Sequence, residues 1–172
     1  MLEKLLEQIE AVIPVKAIVS YSNSVSIEYF DNNQPDQDEL TEINNILASW
    51  PLEKVKLQKI QQLDNVWKSV MKSGWTTPSG YKLGIDVQDI ALFNGVFVLA
   101  KEASSIGIND PITIIDLDGV PHSLSLQNLT VLMLQYGQAR SAISGQYTSI
   151  KQAITSATSI EDVNSINLTI GA

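Results

Sequence analysis

The stretch 125–157, SLQNLTVLMLQYGQARSAISGQYTSIKQAITSA, decides how the chain reads. Its apolar residues recur every three or four positions: Leu126, Leu129, Leu132, Tyr136, Ala139, Ile143, Tyr147, Ile150, Ile154 and Ala157. From Leu129 to Ala157 the seam advances 28 residues in eight steps, an average of 3.5. That period predicts one long helix, nearer the repeat of a coiled coil than that of a lone amphipathic helix. Gln127, Asn128, Gln135, Gln138, Ser141, Ser144, Thr148 and Gln152 fall on the opposite face, and Ser125 is placed to cap the start.

Such a helix runs about 50 Å. A domain of this mass is hardly wider, so part of the seam is expected to meet something beyond the chain's own core. The residues expected at that interface are Leu132, Tyr136, Ile143, Tyr147, Ile150 and Ile154. Gly137 and Gly145 lie off the seam, and each weakens the helix by about 1 kcal/mol relative to alanine. Close approach of another backbone would account for them; a break near Gly145 is the plainer alternative.

Upstream, the pattern predicts two parts. In the first, residues 2–12 form a short helix that Pro14 stops. Val15–Tyr21 and Val25–Phe30 alternate like two half-buried strands, joined by a turn at Ser22-Asn23-Ser24. Asp36 and Glu39 make a capping pair for a helix whose apolar face is Leu40, Ile43, Ile46 or Leu47, and Trp50. Pro51 is read as the punctuation that ends it. Residues 1–50 are therefore expected to be a helix–strand–strand–helix docking module.

Residues 51–172 are expected to form a helical domain with two short hairpins. A helix over Leu52–Lys72 carries Leu57, Ile60, Leu63, Trp67 and Val70, and Gly74 sits at its C-cap. Pro78-Ser79-Gly80 turns a tight hairpin flanked by Trp75 and Tyr81. Asp86 caps a helix over Val87–Ser105 with two apolar stripes, Ile90, Phe93, Phe97, Ala100 and Leu92, Val96, Leu99, Ala103. A helix apolar on most sides is expected to be central and buried. Asp118-Gly119 turns the next hairpin. After the long helix, Thr158 and Glu161 form a capping box for a short helix over Ser159–Asn164. The apolar tail Leu168–Ala172 either frays or adds a strand to a neighbour's sheet. The fold class is thus α+β.

Eleven basic residues face 19 acidic ones, for a net charge of −8. Binding phosphates requires the opposite balance, so neither nucleic acid nor an anionic membrane surface is expected as partner. The chain has no cysteine, which excludes disulfides and cysteine-based zinc sites. Met1–Val12 carries Glu3, Glu7 and Glu10 where a signal peptide would be apolar, and no apolar run reaches membrane-spanning length.

No catalytic, cofactor or metal site is expected. His122 is the single histidine, so no two-histidine metal site can form, and a structural or solvated role fits it. Asp116-Leu117-Asp118-Gly119 resembles the opening of a calcium loop but lacks the further oxygen ligands and the glutamate at the twelfth position. Ser69-Val70-Met71-Lys72 matches Ser-x-x-Lys without its companion motifs. Asp36, Asp38, Glu39 and Glu42 suit a helix start rather than an acid–base pair. No phosphate-binding glycine loop occurs.

From Leu57 onward the order of features is distinctive. Trp67-Lys68 leads to Gly74-Trp75, a small hairpin, and Asp86 opening an apolar helix. A second hairpin ends in Val120-Pro121-His122-Ser123-Leu124-Ser125, and the long helix leads to Ile154-Thr155-Ser156-Ala157-Thr158-Ser159-Ile160-Glu161-Asp162-Val163. This order, over about residues 57–172, resembles an uncharacterised domain family of bacteriophage tail-fibre and tail-associated proteins. The chain departs from that pattern at Lys68 and Lys72, where the family is arginine-rich, and at Ile114 and Ile115, where it often has tryptophan.

The resemblance implies a non-enzymatic structural component of a phage tail, a tail-fibre or baseplate connector. It would be made in the host cytoplasm and carried in the virion. Its partners would be other tail proteins and copies of itself, as a dimer or trimer. A tail-fibre assembly chaperone absent from the mature particle is the alternative. A third reading, from another class, is an enzyme using the Asp110–Asp118 region.

Overall fold

The computed structural model describes residues 2–21, 24–30 and 32–171. The chain is α+β, in the order α1 (Leu2–Glu10), β1 (Val15–Tyr21), β2 (Ser24–Tyr29), α2 (Gln37–Ser73), β3 (Trp75–Thr76), β4 (Lys82–Leu83), α3 (Val87–Ser105), β5 (Ile112–Ile115), β6 (Pro121–Leu124), α4 (Leu126–Ser156) and α5 (Ile160–Ser165). The strands form three separate antiparallel hairpins, β1–β2, β3–β4 and β5–β6. The turn expected at Ser22-Asn23-Ser24 falls largely outside the described residues.

The chain divides into two compact units. One comprises Met1–Gln61 and Ala153–Ile166; the other comprises Gln62–Gln152 and Asn167–Ala172. The boundary expected at Pro51 lies inside the first unit and inside a helix.

Pro51 does not separate two helices; it stands within α2. Proline removes one helical donor and crowds the preceding turn, at about 3 kcal/mol in a helix interior. What outweighs it here is the seam. Ile43, Trp50 and Leu57 are spaced by seven, so one face of an unbroken helix carries all three. Ile43 and Trp50 are buried, and Leu57 packs against their cluster.

That cluster is the core of the first unit: Leu5 and Ile9 of α1, Ile13, Val15 of β1, Ile43 and Trp50. Ile18, Val25, Ile27 and Tyr29 of the hairpin pack on it. The β1–β2 register runs from Val15 opposite Tyr29 to Tyr21 opposite Ser24, with an irregularity between Val15 and Ala17. Asp36 and Glu39 cap α2 as expected: the Asp36 carboxylate accepts from Glu39 N at 2.9 Å and Glu39 accepts from Asp36 N at 2.8 Å.

Residues 153–166 are built into this unit. Ile154 and Val163 are fully buried. Neither α4 nor α5 has a basic residue in its last turn, and α2 supplies one to each. Lys56 Nζ donates to Thr155 O at 3.0 Å, and Lys59 Nζ donates to Asn164 O at 3.2 Å. Both cations satisfy carbonyls that a helix end leaves without a donor, where the helix dipole favours positive charge. The cap of α5 is Ser159 with Asp162, one residue beyond the expected Thr158 and Glu161. Both pairs have the required spacing; Ser159 is the residue whose extended backbone aims its oxygen at the first turn.

The second unit is centred on Tyr136 of α4. Its ring meets Trp75 at 6.1 Å, edge-on, and Phe93 at 5.3 Å. Its hydroxyl donates to Gly84 O at 2.8 Å. Leu63, Leu83, Ile85, Ile114, Leu129, Leu132 and Ile143 are buried in the same unit. α4 runs unbroken through Gly137 and Gly145, and nothing lies within 4 Å of where a side chain at either would begin. The tail does not fray over its described part: Ile170 is buried, and Gly171 N donates to Gln146 Oε1 at 2.9 Å.

Candidate interaction surface

The seam of α4 was the expected interface, and the chain uses most of it itself. Ile143 and Ile154 are 0% exposed, Tyr136 4% and Leu132 6%. A side chain enclosed by its own chain cannot meet another one, so these four are corrected from interface to core. Tyr147 and Ile150 are half-buried. The Tyr147 ring packs tilted against Trp67 with ring centres 4.8 Å apart, and its hydroxyl donates to Asp64 at 2.7 Å. That bond and burial hold its phenol above the usual pKa. Arg140 lies over the Trp67 ring, 5.0 Å from its centre, and bonds Ser144. Periodicity showed that α4 has a face to cover; it carried no information on what covers it.

Among the described residues, α3 leaves several large apolar side chains open on one side. Asp86 starts this helix with a capping box: its carboxylate accepts from Gln88 N and Asp89 N, and Asp89 accepts from Asp86 N. The backbone donors hold the Asp86 carboxyl below its usual range, whereas burial raises that of Asp89. At the other end Ile108 N donates to Ala103 O at 2.9 Å across Gly107, whose φ is +84°. The helix is thus fixed at both ends.

Between them, the first apolar stripe turns inward and the second is split, with Val96 and Ala103 half-buried and Leu92 and Leu99 exposed. Phe93 is buried and Ile90, Phe97 and Ala100 are half-buried, so the first stripe faces the core. Leu92 is 66% exposed, Val98 60% and Leu99 72%. The expectation of a central, buried helix is corrected accordingly: α3 lies on the surface of its unit with one apolar side outward. Fully burying one such side chain is worth about 1.5–3 kcal/mol, and this makes the outward side of α3 the candidate interaction surface.

The hairpin turn at Asp116–Gly119 has the form expected of it. Asp116 Oδ1 accepts from Asp118 N at 2.9 Å and Val120 N at 2.8 Å. Oδ2 meets His122 Nε2 at 2.8 Å, and the Tyr81 ring stacks on His122 with centres 3.9 Å apart. The His122 contact and these backbone donors hold the Asp116 carboxyl below its usual range. All three contacts of the Asp116 carboxylate lie within the hairpin, and Leu117 N donates to Lys82 O of β4 at 2.9 Å. The cluster ties one hairpin to the next.

Among the described residues, no group of three or more His, Cys, Asp or Glu is placed to hold a metal ion. No helix among them is long and apolar enough to cross a membrane. Compared with known proteins, the chain matches no family model, no curated protein and no solved structure.

Proposed function

We propose that the chain works by protein–protein assembly, as a structural component of a bacteriophage tail that connects tail fibre and baseplate. The observation that supports assembly is the outward side of α3, where Leu92, Val98 and Leu99 stand exposed on a helix fixed at both ends. The tail setting rests on the order of features from Leu57 to Val163 alone. In this reading the protein is carried in the virion, and its partners are tail proteins.

Mass spectrometry of purified particles, with copy number, tests the proposal. A stoichiometric presence, in a multiple of the tail's symmetry, is the expected result. Absence from particles combined with abundance in infected cells would replace it with the assembly-chaperone reading. Absence from both would remove the phage setting altogether.

A further inference from the structure

The segment Ile90–Ala100, IALFNGVFVLA, contains no charged side chain in a chain of net charge −8. At about 100° per residue, Gly95 falls in the middle of the exposed side of α3, opposite Phe93 and Phe97. Leu92 and Leu99 line one edge of that side, and Ala91 and Val98 line the other. All five are exposed. Nothing lies within 4 Å of the place where a side chain on Gly95 would begin, so a second helix can approach there to backbone distance.

This face is complementary to itself. A two-fold axis across the helix at Gly95 reverses the chain direction while keeping each edge on its own side, so every contact occurs twice. Leu92 then meets the partner's Leu99, and Leu99 meets the partner's Leu92. On the other edge Ala91 meets the partner's Val98, a small residue against a larger one. Gly95 crosses the partner's Gly95. Glu102, the charged residue on this face, comes opposite the partner's Gln88 rather than another carboxylate. We infer that the outer face of α3 pairs antiparallel with the same face of a second copy, about an axis at Gly95.

The second copy is favoured over another partner by charge. Two chains of net charge −8 repel wherever carboxylates meet, and this face brings none together. A protein that recognised the chain by charge would be basic and would have little to bind along Ile90–Ala100. The area is small beside the roughly 800 Å² per partner of a standard interface, so pairing is expected at micromolar rather than nanomolar concentration. Added salt should strengthen it, because screening weakens the repulsion between the acidic remainders while the contact itself is apolar.

The inference rests on the assembly reading and is tested separately from it, on the full chain in solution. Sedimentation equilibrium up to about 100 µM should show a monomer–dimer equilibrium. Leu99→Glu and Leu92→Glu should each remove the dimer with unchanged circular dichroism, since both side chains are mostly exposed in the monomer. The chain has no cysteine, so Leu92→Cys and Leu99→Cys each carry one thiol. A short bis-maleimide should link a mixture of the two variants more than either variant alone. A monomer throughout, a trimer, a dimer insensitive to both glutamates, or stronger linking of Leu92→Cys to itself would each overturn the antiparallel pair. A monomer here, with stoichiometric presence in particles, would remove self-pairing and leave the tail proposal standing.

Discussion

Tyr136 and Gly84 are 52 residues apart in sequence and joined by a buried hydrogen bond of 2.8 Å. The phenol donates and the Gly84 carbonyl accepts, next to the capping box that starts α3. Tyr136→Phe leaves that carbonyl without its donor. It should lower unfolding free energy by about 1–2 kcal/mol in urea titrations at pH 7. Burial, with Asp89 nearby, raises the Tyr136 pKa to about 12. The neutral phenol is the form the fold holds. Its contribution is complete below pH 10 and lost as pH rises from about 10 to 12. Stability of the wild type should therefore fall more steeply than that of Tyr136→Phe over that range. Parallel alkaline profiles would contradict this.

Asp116 makes the opposite prediction at low pH. Its carboxyl is held down by His122 and by the backbone donors of Val120 and Asp118, so the charged form is the one the fold stabilises. That stability is present above the unfolded pKa near 3.9 and lost as pH falls through the lower folded value. Asp116→Asn should melt at a lower temperature than wild type at pH 7, and the two curves should converge below about pH 4. A constant gap across that range would show that charge is not what matters at this turn.

Gly74 and Gly80 separate backbone strain from crowding. Both have positive φ, +72° and +90°. Alanine at Gly80 would meet nothing within 4 Å, whereas alanine at Gly74 would run into Leu117 and the Leu83 carbonyl. Gly80→Ala should cost about 1 kcal/mol, the price of the left-handed backbone alone. Gly74→Ala should cost about 2–4 kcal/mol, because its neighbour on one side is backbone. Equal losses would mean that the loop beyond α2 gives way easily.

Pro51 offers a stabilising change. It occupies a helix interior without a donor, and Pro51→Ala restores that donor together with the best helix former. The variant should gain about 1–3 kcal/mol, measured as a higher urea midpoint with unchanged slope. An unchanged or lower midpoint would mean that the proline presets a bend on which the burial of Trp50 depends.

Much of the fold was legible because its signals are local. The ends of α4, the Asp36–Glu39 and Asp86 caps, and the Asp118-Gly119 turn all depend on residues within four positions of one another. What was misread depends on distant partners. Pro51 obeys a strong local rule, yet the heptad-spaced Ile43, Trp50 and Leu57 overrule it. Thr158–Glu161 and Ser159–Asp162 are equally good capping pairs on paper, and only backbone direction selects the second. Periodicity identified the α4 seam but not its cover, so Ile143 was assigned to a partner. On α3 two apolar stripes compete for one core; Phe93 and Phe97, being larger, take it and leave Leu92 and Leu99 outside.

The first compact unit joins the chain's first 61 residues to Ala153–Ile166. This sets an order on biosynthesis. When α1, the first hairpin and the front of α2 have left the ribosome, the segment holding Ile154 and Val163 has not yet been translated. The carbonyls that Lys56 and Lys59 will bind do not exist at that stage either. The second unit, apart from its short final segment, is emitted in one piece and can fold first. The first unit waits, incomplete, for residues 153–166, and a nascent polypeptide stalled before residue 153 would carry it unfinished.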